Sequence, residues 1–123
     1  MKVAVLGASP KPDRYSNQAV RLLIEHGHEP VPVNPGYDEI EGLPTVRALG
    51  ELTPGSIDTL TLYVGPDRSA ALADDIVQLK PRRVIFNPGA ENRTLAEQLR
   101  EHDLKTVEAC TLVMLRTGQF GDP

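Results

Sequence analysis

The segment 7–14 (GASPKPDR) carries the residue types best suited to binding an anion. Gly7 lets a ligand approach the backbone closely, and Lys11 and Arg14 are cations that can each meet a phosphate group. A helical pattern follows, and its first backbone amides near Ser16 are unpaired donors at the positive end of the helix. The segment therefore predicts a pyrophosphate site. A tight strand-to-helix turn with two solvated cations is the alternative interpretation.

Other nucleotide-binding motifs fit this chain poorly. Counting from Gly7, the second and third glycines of the dinucleotide fingerprint fall on Ser9 and Pro12. Asn34 and Pro35 stand at the end of the second predicted strand, where a nicotinamide dinucleotide usually meets an acidic residue. The sequence has neither a Gly-Lys-Ser or Gly-Lys-Thr triplet nor a Gly-x-Ser-x-Gly elbow. Ordinary NAD binding is disfavoured, and a P-loop or a serine-hydrolase elbow is excluded.

Two further groups could carry chemistry, and each has a structural alternative. His26 and His28 are spaced as metal ligands, but no third ligand is evident, so we expect no metal site and two exposed side chains. Cys110 follows the last predicted strand, at the edge where ligands bind. A thiol there could face a bound group. No activating base adjoins it, however, and we expect a buried, unreactive side chain.

Length, charge and cysteine content limit the class of protein. The 123 residues carry a net charge of -4 and a sequence pI near 5.3, with only two phenylalanines and three tyrosines. A nucleic-acid partner is not expected, because such proteins usually show a basic surface and stacking aromatics. Apolar runs are far shorter than the roughly 20 residues that span a bilayer, and the first residues do not match a secretory signal. We therefore expect one cytoplasmic domain over residues 1–123, with no membrane association.

Apolar runs and helical periodicity alternate along the chain. Strands are predicted at residues 2–6, 30–33, 58–64, 82–86 and 104–108, and the prolines of the second favour an edge position. Helices are predicted at 16–26, 67–79 and 94–101, with a short helical turn within 45–52 and one or two closing turns within 109–120. This alternation predicts a Rossmann-like α/β three-layer sandwich with a mainly parallel sheet of about five strands. Ligands of such sheets lie beyond the carboxyl ends of the strands.

The order of several short motifs resembles a known family. The motifs are Val-Ala-Val-Leu-Gly-Ala-Ser ending at Ser9, with Lys11 and Arg14 after it, then Pro-Val-Asn-Pro ending at Pro35, then Gly-Pro ending at Pro66. In this order they resemble the CoA-binding protein family, whose members are small stand-alone Rossmann-like domains similar to the CoA-binding domain of the succinyl-CoA synthetase α subunit. The resemblance runs nearly end to end. It implies binding of coenzyme A, and most members of the family have no demonstrated reaction.

The resemblance also assigns roles to particular residues. It implies that the first loop holds the CoA diphosphate, that the end of the second strand borders the adenosine, that the end of the third strand faces the adenine, and that the loop after the fourth strand approaches the pantetheine arm. Many relatives carry a basic residue where this chain has Gly36, so Lys11, Arg14 or Arg68 is expected to compensate at the 3′-phosphate. The implied residues, in the same order, are Gly7, Ala8, Ser9, Lys11 and Arg14; Asn34 and Pro35; Val64, Gly65 and Pro66; and Asn87 and Gly89.

The leading hypothesis is a protein that binds CoA or an acyl-CoA without catalysing a reaction. An acyl-transfer or ligase enzyme using Cys110 or a histidine is the second hypothesis, but this length does not accommodate the phosphohistidine segment and second domain of a synthetase. The third is an NAD(P)-type nucleotide-binding or redox protein with a non-standard loop. The fourth is a protein-interaction module with a vacant nucleotide site. A protein partner or a homodimer stays open.

Overall fold

Strands and helices alternate along the chain in the computed structural model, which describes residues 1–121. Each predicted strand is present, with ends shifted by at most a few residues. Turns of 3₁₀ helix at Leu49–Glu51 and Ala70–Leu72 join some of the elements. The elements are β1 (Lys2–Leu6), α1 (Tyr15–Glu25), β2 (Glu29–Val33), β3 (Glu39–Ile40), β4 (Leu43–Pro44), β5 (Thr59–Leu62), α2 (Pro66–Ser69), α3 (Ala73–Leu79), β6 (Arg83–Phe86), α4 (Arg93–Glu101), β7 (Lys105–Glu108) and α5 (Thr111–Arg116).

A parallel sheet organises the molecule. Five strands lie in the order β2-β1-β5-β6-β7, and every neighbouring pair is parallel. Helices α1 and α5 pack on one face and α3 and α4 on the other, so the central strands β1, β5 and β6 are buried on both faces. The predicted Rossmann-like three-layer sandwich is confirmed. Strand order reverses between β1 and β5, and such a switch point opens a crevice beyond the carboxyl ends of the strands.

Two clusters of buried apolar side chains fill the spaces between the three layers. The cluster under α1 and α5 includes Val3, Val5, Val20, Leu23, Ile85 and Leu115. The cluster under α3 and α4 includes Leu60, Leu62, Ile76, Val84, Leu95 and Leu99. Within residues 1–121, no helix has the length and hydropathy that crossing a bilayer requires.

Strand β2 lies at an edge of the sheet, as its prolines predict. The residues after it form a hairpin, β3 and β4, that the sequence analysis did not predict. Its turn residues Glu41 and Gly42 both have positive φ, at 52° and 77°, which is typical of a type I′ turn. Strands of two residues are too short to show an alternating pattern, and this is why they were missed. The helical turn predicted within 45–52 is confirmed at Leu49–Glu51.

The helix predicted over residues 67–79 is wrong as one continuous element. The chain forms α2, then a 3₁₀ turn, then α3. Ser69 is buried at the break, and its hydroxyl donates back to the carbonyl of Pro66 (3.3 Å) while accepting from Nδ2 of Asn92 (3.1 Å). A serine that bonds back to an earlier carbonyl bends a helix. Periodicity alone does not reveal this, because Leu72, Ile76 and Leu79 keep the helical spacing.

The end of the described chain packs beneath the amino edge of the sheet. Phe120 is buried, and its carbonyl accepts a hydrogen bond from Nη2 of Arg83 (3.0 Å). The ring of His28 meets that of Phe120 edge to face at 5.0 Å between centroids. His26 is exposed as expected, but His28 is half-buried, so the prediction that both histidines face solvent is wrong for His28.

Stability is expected to depend on the protonation of His28. Burial and the charge of the amino terminus lower its pKa below the usual 6.5, and the terminal ammonium donates to its Nδ1 (3.2 Å), which requires a neutral ring. The folded protein therefore favours the neutral form, and stability falls as the pH drops below about 6.5. Urea unfolding at pH 7.5 and 5.5 checks this. His28→Gln should lose less free energy of unfolding between the two pH values than the wild type, and an equal loss would contradict the assignment.

Candidate functional site

Gly7, directly after β1, turns the chain at the switch point. Its φ is +86°, a backbone conformation that other residues disfavour, and its N–H donates to the carbonyl of Val33 (3.0 Å). A Cβ here would lie 2.9 Å from the carbonyl oxygen of Tyr63 and 2.9 Å from Cγ1 of Val64. The absence of a side chain therefore lets the first loop pass this close to the end of β5.

Polar side chains hold the first loop, residues 7–14, in place. Nδ2 of Asn34 donates to the carbonyl of Ala8 (2.8 Å), and Nδ2 of Asn17 donates to the carbonyl of Ser9 (2.9 Å). Nε of Arg21 in turn donates to Oδ1 of Asn17 (2.8 Å). The sequence analysis did not assign Asn17 and Arg21 to the loop. A signal was present, because Asn17 is a polar residue on the apolar stripe of α1, where it is fully buried.

The first turn of α1 offers backbone donors and has no acidic residue of its own, although the carboxylate of Glu41 accepts from Nδ2 of Asn17 there (3.0 Å). Arg14 is its N-cap, no side chain caps its amides, and its first turn contains no acidic residue. Lys11 and Arg14 are exposed, and neither side chain has a hydrogen bond or ion pair with any residue in the range 1–121. The helix end and both cations are thus available to an anion.

A cavity of about 200 Å³ lies beyond the carboxyl ends of β1, β2 and β5, and we call it the β2-side cavity. Of the residues predicted to surround the adenosine, Asn34, Pro35 and Val64 line it. The floor of this cavity is apolar, which suits a flat aromatic ring system. The apolar side chains of the floor are Leu6, Val33, Leu49, Val64 and Leu72.

Two arginines from separate elements line the β2-side cavity. Nη1 of Arg47 donates to the carbonyl of Pro35 (3.2 Å), and its Nη2 pairs with Oδ1 of Asp38 (3.2 Å). Arg68, on α2, has no side-chain partner among residues 1–121. Arg47 could not be recognised from the sequence, because it is the hairpin of β3 and β4, which was not predicted, that brings it beside the end of β2.

Several predicted site residues shape loops and lie outside the cavity walls just described. Gly65 is the N-cap of α2 and Pro66 its first residue, and both are exposed. Ala8 is fully buried beneath the first loop. Gly89 lies in an exposed turn with φ +90° after Pro88, a combination typical of a type II turn.

A second cavity, of about 260 Å³, lies at the first loop and the start of α1, and we call it the central cavity. Gly7, Ser9 and Arg14 of the predicted diphosphate site line it, together with Ser16. Lys11 lies on the same loop, and its side chain makes no hydrogen bond or ion pair with any residue in the range 1–121. The structure thus brings most of the predicted anion-binding residues to one cavity.

A third cavity, of about 320 Å³, lies between the loop after β6 and helix α5, and we call it the α5-side cavity. It shares Tyr15 and Tyr63 with the central cavity, and the central cavity shares Gly7 with the β2-side cavity. The three cavities therefore adjoin one another along the carboxyl edge of the sheet, and we call them together the trough. The α5-side cavity is lined by Tyr15, Tyr63, Asn87, Pro88, Cys110, Leu112 and Arg116.

Asn87, predicted to approach the pantetheine arm, lies in the wall of the α5-side cavity with its amide already occupied. It is 1% exposed. Its Nδ2 donates to Oγ1 of Thr61 (2.6 Å) and to the carbonyl of Leu62 (2.9 Å), and its Oδ1 accepts from the N–H of Thr111 (2.9 Å). Asn87 therefore ties the start of α5 to the ends of β5 and β6 and positions the wall.

The prediction that Cys110 is buried is wrong, because its side chain is half-buried and lines the α5-side cavity. As the N-cap of α5, Cys110 stands at the edge of the sheet and not within the core. Burial raises the pKa of the neighbouring Tyr63 phenol, so Tyr63 is a neutral hydroxyl at physiological pH. No group of three or more histidine, cysteine, aspartate or glutamate side chains within residues 1–121 is placed to hold a metal ion.

Cations without partners concentrate along the trough. Across residues 1–121, Lys11, Arg14, Arg68 and Arg116 have no side-chain hydrogen bond or ion pair, and all lie on or beside the three cavities. Elsewhere Lys2, Arg82 and Arg93 pair with acidic residues, and two lysines at the amino edge, Lys80 and Lys105, have no such partner among residues 1–121.

A family model settles the relationship that the motifs indicated. It describes a CoA binding domain and matches residues 1–116. The chain belongs to this family. The recognition made from the motifs is thereby confirmed, and it covers the whole trough.

Other comparisons found similar sequences and structures. A crystal structure of an uncharacterized protein is 41% identical, with 97% of each chain covered and a TM-score of 0.90. Uncharacterized protein YneT of Bacillus subtilis is 28% identical over 100 residues, which are 81% of this chain and 73% of YneT. A dinucleotide-forming acetyl-coenzyme A synthetase of Ca. Korarchaeum cryptofilum superposes with a TM-score of 0.74 at 22% identity, over 88% of this chain and 25% of the synthetase, a likeness that shows the fold alone.

Proposed function

We propose that this protein binds coenzyme A or an acyl-CoA in the trough. Family membership supports a CoA-related ligand. The observation that carries the proposal is that the unpartnered cations of the edge coincide with three adjoining cavities. CoA joins a flat base, a charged diphosphate and a long neutral arm. The same order runs along the trough, from an apolar floor through a cationic centre to a largely apolar far end.

The diphosphate lies at the central cavity. Gly7 leaves room for phosphate oxygens against the backbone, and the uncapped amides of α1 face an anion with the favourable end of the helix dipole. Lys11 and Arg14 add two charges that nothing in residues 1–121 neutralises. The hydroxyl of Ser9 accepts from the N–H of Lys11 (3.1 Å), and its own O–H remains available to donate to a phosphate oxygen.

The adenosine lies in the β2-side cavity, with its base on the apolar floor. Arg68, which has no side-chain partner within residues 1–121, and Arg47, which pairs with Asp38, line that cavity together with Asp75, and their guanidiniums stand in for the basic residue that Gly36 replaces. A guanidinium can hold a phosphate with two hydrogen bonds, so we assign the 3′-phosphate to these two arginines. Arg47 is pre-oriented by its bond to the carbonyl of Pro35.

A nicotinamide dinucleotide is the weaker candidate at this site. Proteins that bind NAD offer a carboxylate to the ribose hydroxyls from the end of the second strand. Here Asn34 stands at that position, and both polar atoms of its side chain are engaged. Nδ2 donates to the carbonyl of Ala8 (2.8 Å), and Oδ1 accepts from the N–H of Gly36 (2.8 Å). Asn34 thus shapes two loops and presents no carboxylate.

Replacing both cations of the first loop is expected to weaken CoA binding. Lys11→Met combined with Arg14→Met removes two charge-assisted contacts, and the dissociation constant should rise at least about tenfold. Isothermal titration calorimetry measures the change. Both side chains are exposed and unpartnered within residues 1–121, so folding should be little affected.

A matched control comes from the opposite edge of the sheet. Lys80 and Lys105 also lack side-chain partners in the described part of the chain, but they precede β6 and begin β7, at the amino edge. Lys80→Met combined with Lys105→Met changes the net charge equally and should leave CoA affinity within about twofold. Equal weakening by the two double variants would show that net charge matters and that the first loop is not the site.

A further inference from the structure

We infer that the α5-side cavity receives the acyl group of an acyl-CoA and favours a short acyl chain that ends in a carboxylate. This inference rests on the proposed function, because it concerns the far end of the same trough. It adds the class of acyl group, which the description of the family does not give.

The position of the cavity follows from the residues it shares. Tyr15 and Tyr63 line both the central cavity and the α5-side cavity. A ligand with its diphosphate at the first loop therefore leads its neutral arm past these two tyrosines. The end of the arm, with its thioester and the acyl group, then lies in the space beside helix α5.

The wall of this cavity suits methylene groups. Pro88, Leu112 and the rings of Tyr15 and Tyr63 supply most of it. The amide of Asn87 makes three hydrogen bonds within the chain, so it is not available to a polar acyl chain. At about 320 Å³ the cavity is near the lower limit for small-molecule sites, which favours a short acyl group over a long one.

Arg116 adds a charge to this otherwise neutral wall. It lies at the end of α5 and has no side-chain partner within residues 1–121. Neither an aspartate nor a glutamate is among the residues that line the cavity. An acyl chain with a terminal carboxylate fits both the apolar wall and the unpartnered arginine. Its methylene groups contact the wall, and its carboxylate pairs with the guanidinium of Arg116.

Succinyl-CoA and butyryl-CoA test the inference, because their four-carbon acyl chains differ only in a terminal carboxylate or methyl group. Isothermal titration calorimetry should show that the wild type binds succinyl-CoA about tenfold more tightly than butyryl-CoA. Arg116→Met should make the two affinities equal. Lys105→Met, which removes a charge at the opposite edge, should preserve the preference.

The outcomes separate this inference from the proposed function. Equal wild-type affinities for the two acyl-CoAs, with CoA still bound, would overturn the acyl preference alone. A uniform loss of affinity for CoA, butyryl-CoA and succinyl-CoA in Arg116→Met would place Arg116 on the coenzyme and also overturn it. Failure of the wild type to bind CoA would refute both proposals.

Discussion

Gly7→Ala is expected to lower the free energy of unfolding by about 2–4 kcal/mol. Alanine would have to adopt φ +86°, and its Cβ would meet the carbonyl oxygen of Tyr63 and Cγ1 of Val64, each at 2.9 Å. The clash with Tyr63 involves backbone, which cannot rotate away. Relief requires the first loop to move away from β5, so CoA affinity should fall as well. Urea denaturation and calorimetric titration of the same protein measure the two effects.

Gly27→Ala separates the two costs of Gly7→Ala, which are the strain of a positive φ and the clash of the added Cβ. Gly27 has φ +80°, but no atom lies within 4 Å of the position its Cβ would take. This variant should therefore lose only the conformational part, about 1 kcal/mol, and should bind CoA like the wild type. If Gly7→Ala were no more destabilising than Gly27→Ala, the close approach of the first loop to β5 would be refuted.

Asn87→Ala is expected to destabilise the protein by about 3 kcal/mol. The substitution removes three hydrogen bonds from a site that is 1% exposed and leaves the N–H of Thr111 and the carbonyl of Leu62 without this partner. Buried polar groups left unpaired are costly because water cannot replace the lost bonds. The start of α5 loses its attachment, and with it the wall of the α5-side cavity. The midpoint of urea unfolding measures the loss.

Asn92→Ala provides the comparison for Asn87→Ala. Asn92 is the N-cap of α4, where its Oδ1 accepts from the N–H of Leu95 (3.1 Å), and its Nδ2 donates to Oγ of Ser69 (3.1 Å) and to the carbonyl of Pro66 (3.2 Å). It also makes three hydrogen bonds, but it is only half-buried, so water can replace part of what is lost. Loss of a cap of this kind costs about 1 kcal/mol. A cost for Asn87→Ala no greater than that for Asn92→Ala would mean that the buried amide network is not what holds α5.

The sheet and the first loop could be predicted from sequence because their signals are local. A strand buried on both faces is a continuous apolar run, and residues 2–6 show one ended by Gly7. Parallel order then brings loops that are distant in the chain to one edge without any knowledge of side chains. The prolines of β2 indicated its edge position in the same way.

Features that depend on contacts distant in the chain could not be predicted. Arg47 reaches the β2-side cavity through a hairpin of two-residue strands, which leave no periodic pattern. Burial of Cys110 was predicted because cysteine is small and apolar and here follows a strand. Its exposure depends instead on where α5 begins. The role of Asn87 depends on Thr111, a partner in another element. A sequence pattern shows neither the distance nor the direction of such bonds.

Thermal unfolding with CoA, 3′-dephospho-CoA, NAD and NADP at equal concentrations tests the central claim most directly. A ligand at one hundred times its dissociation constant adds about 2.7 kcal/mol to the stability of the folded state, a shift of several degrees for a domain of this size. CoA should raise the melting temperature most, 3′-dephospho-CoA less, and NAD and NADP little. An unchanged melting temperature with CoA, or an equal rise with NADP, would contradict the assignment of the trough to coenzyme A.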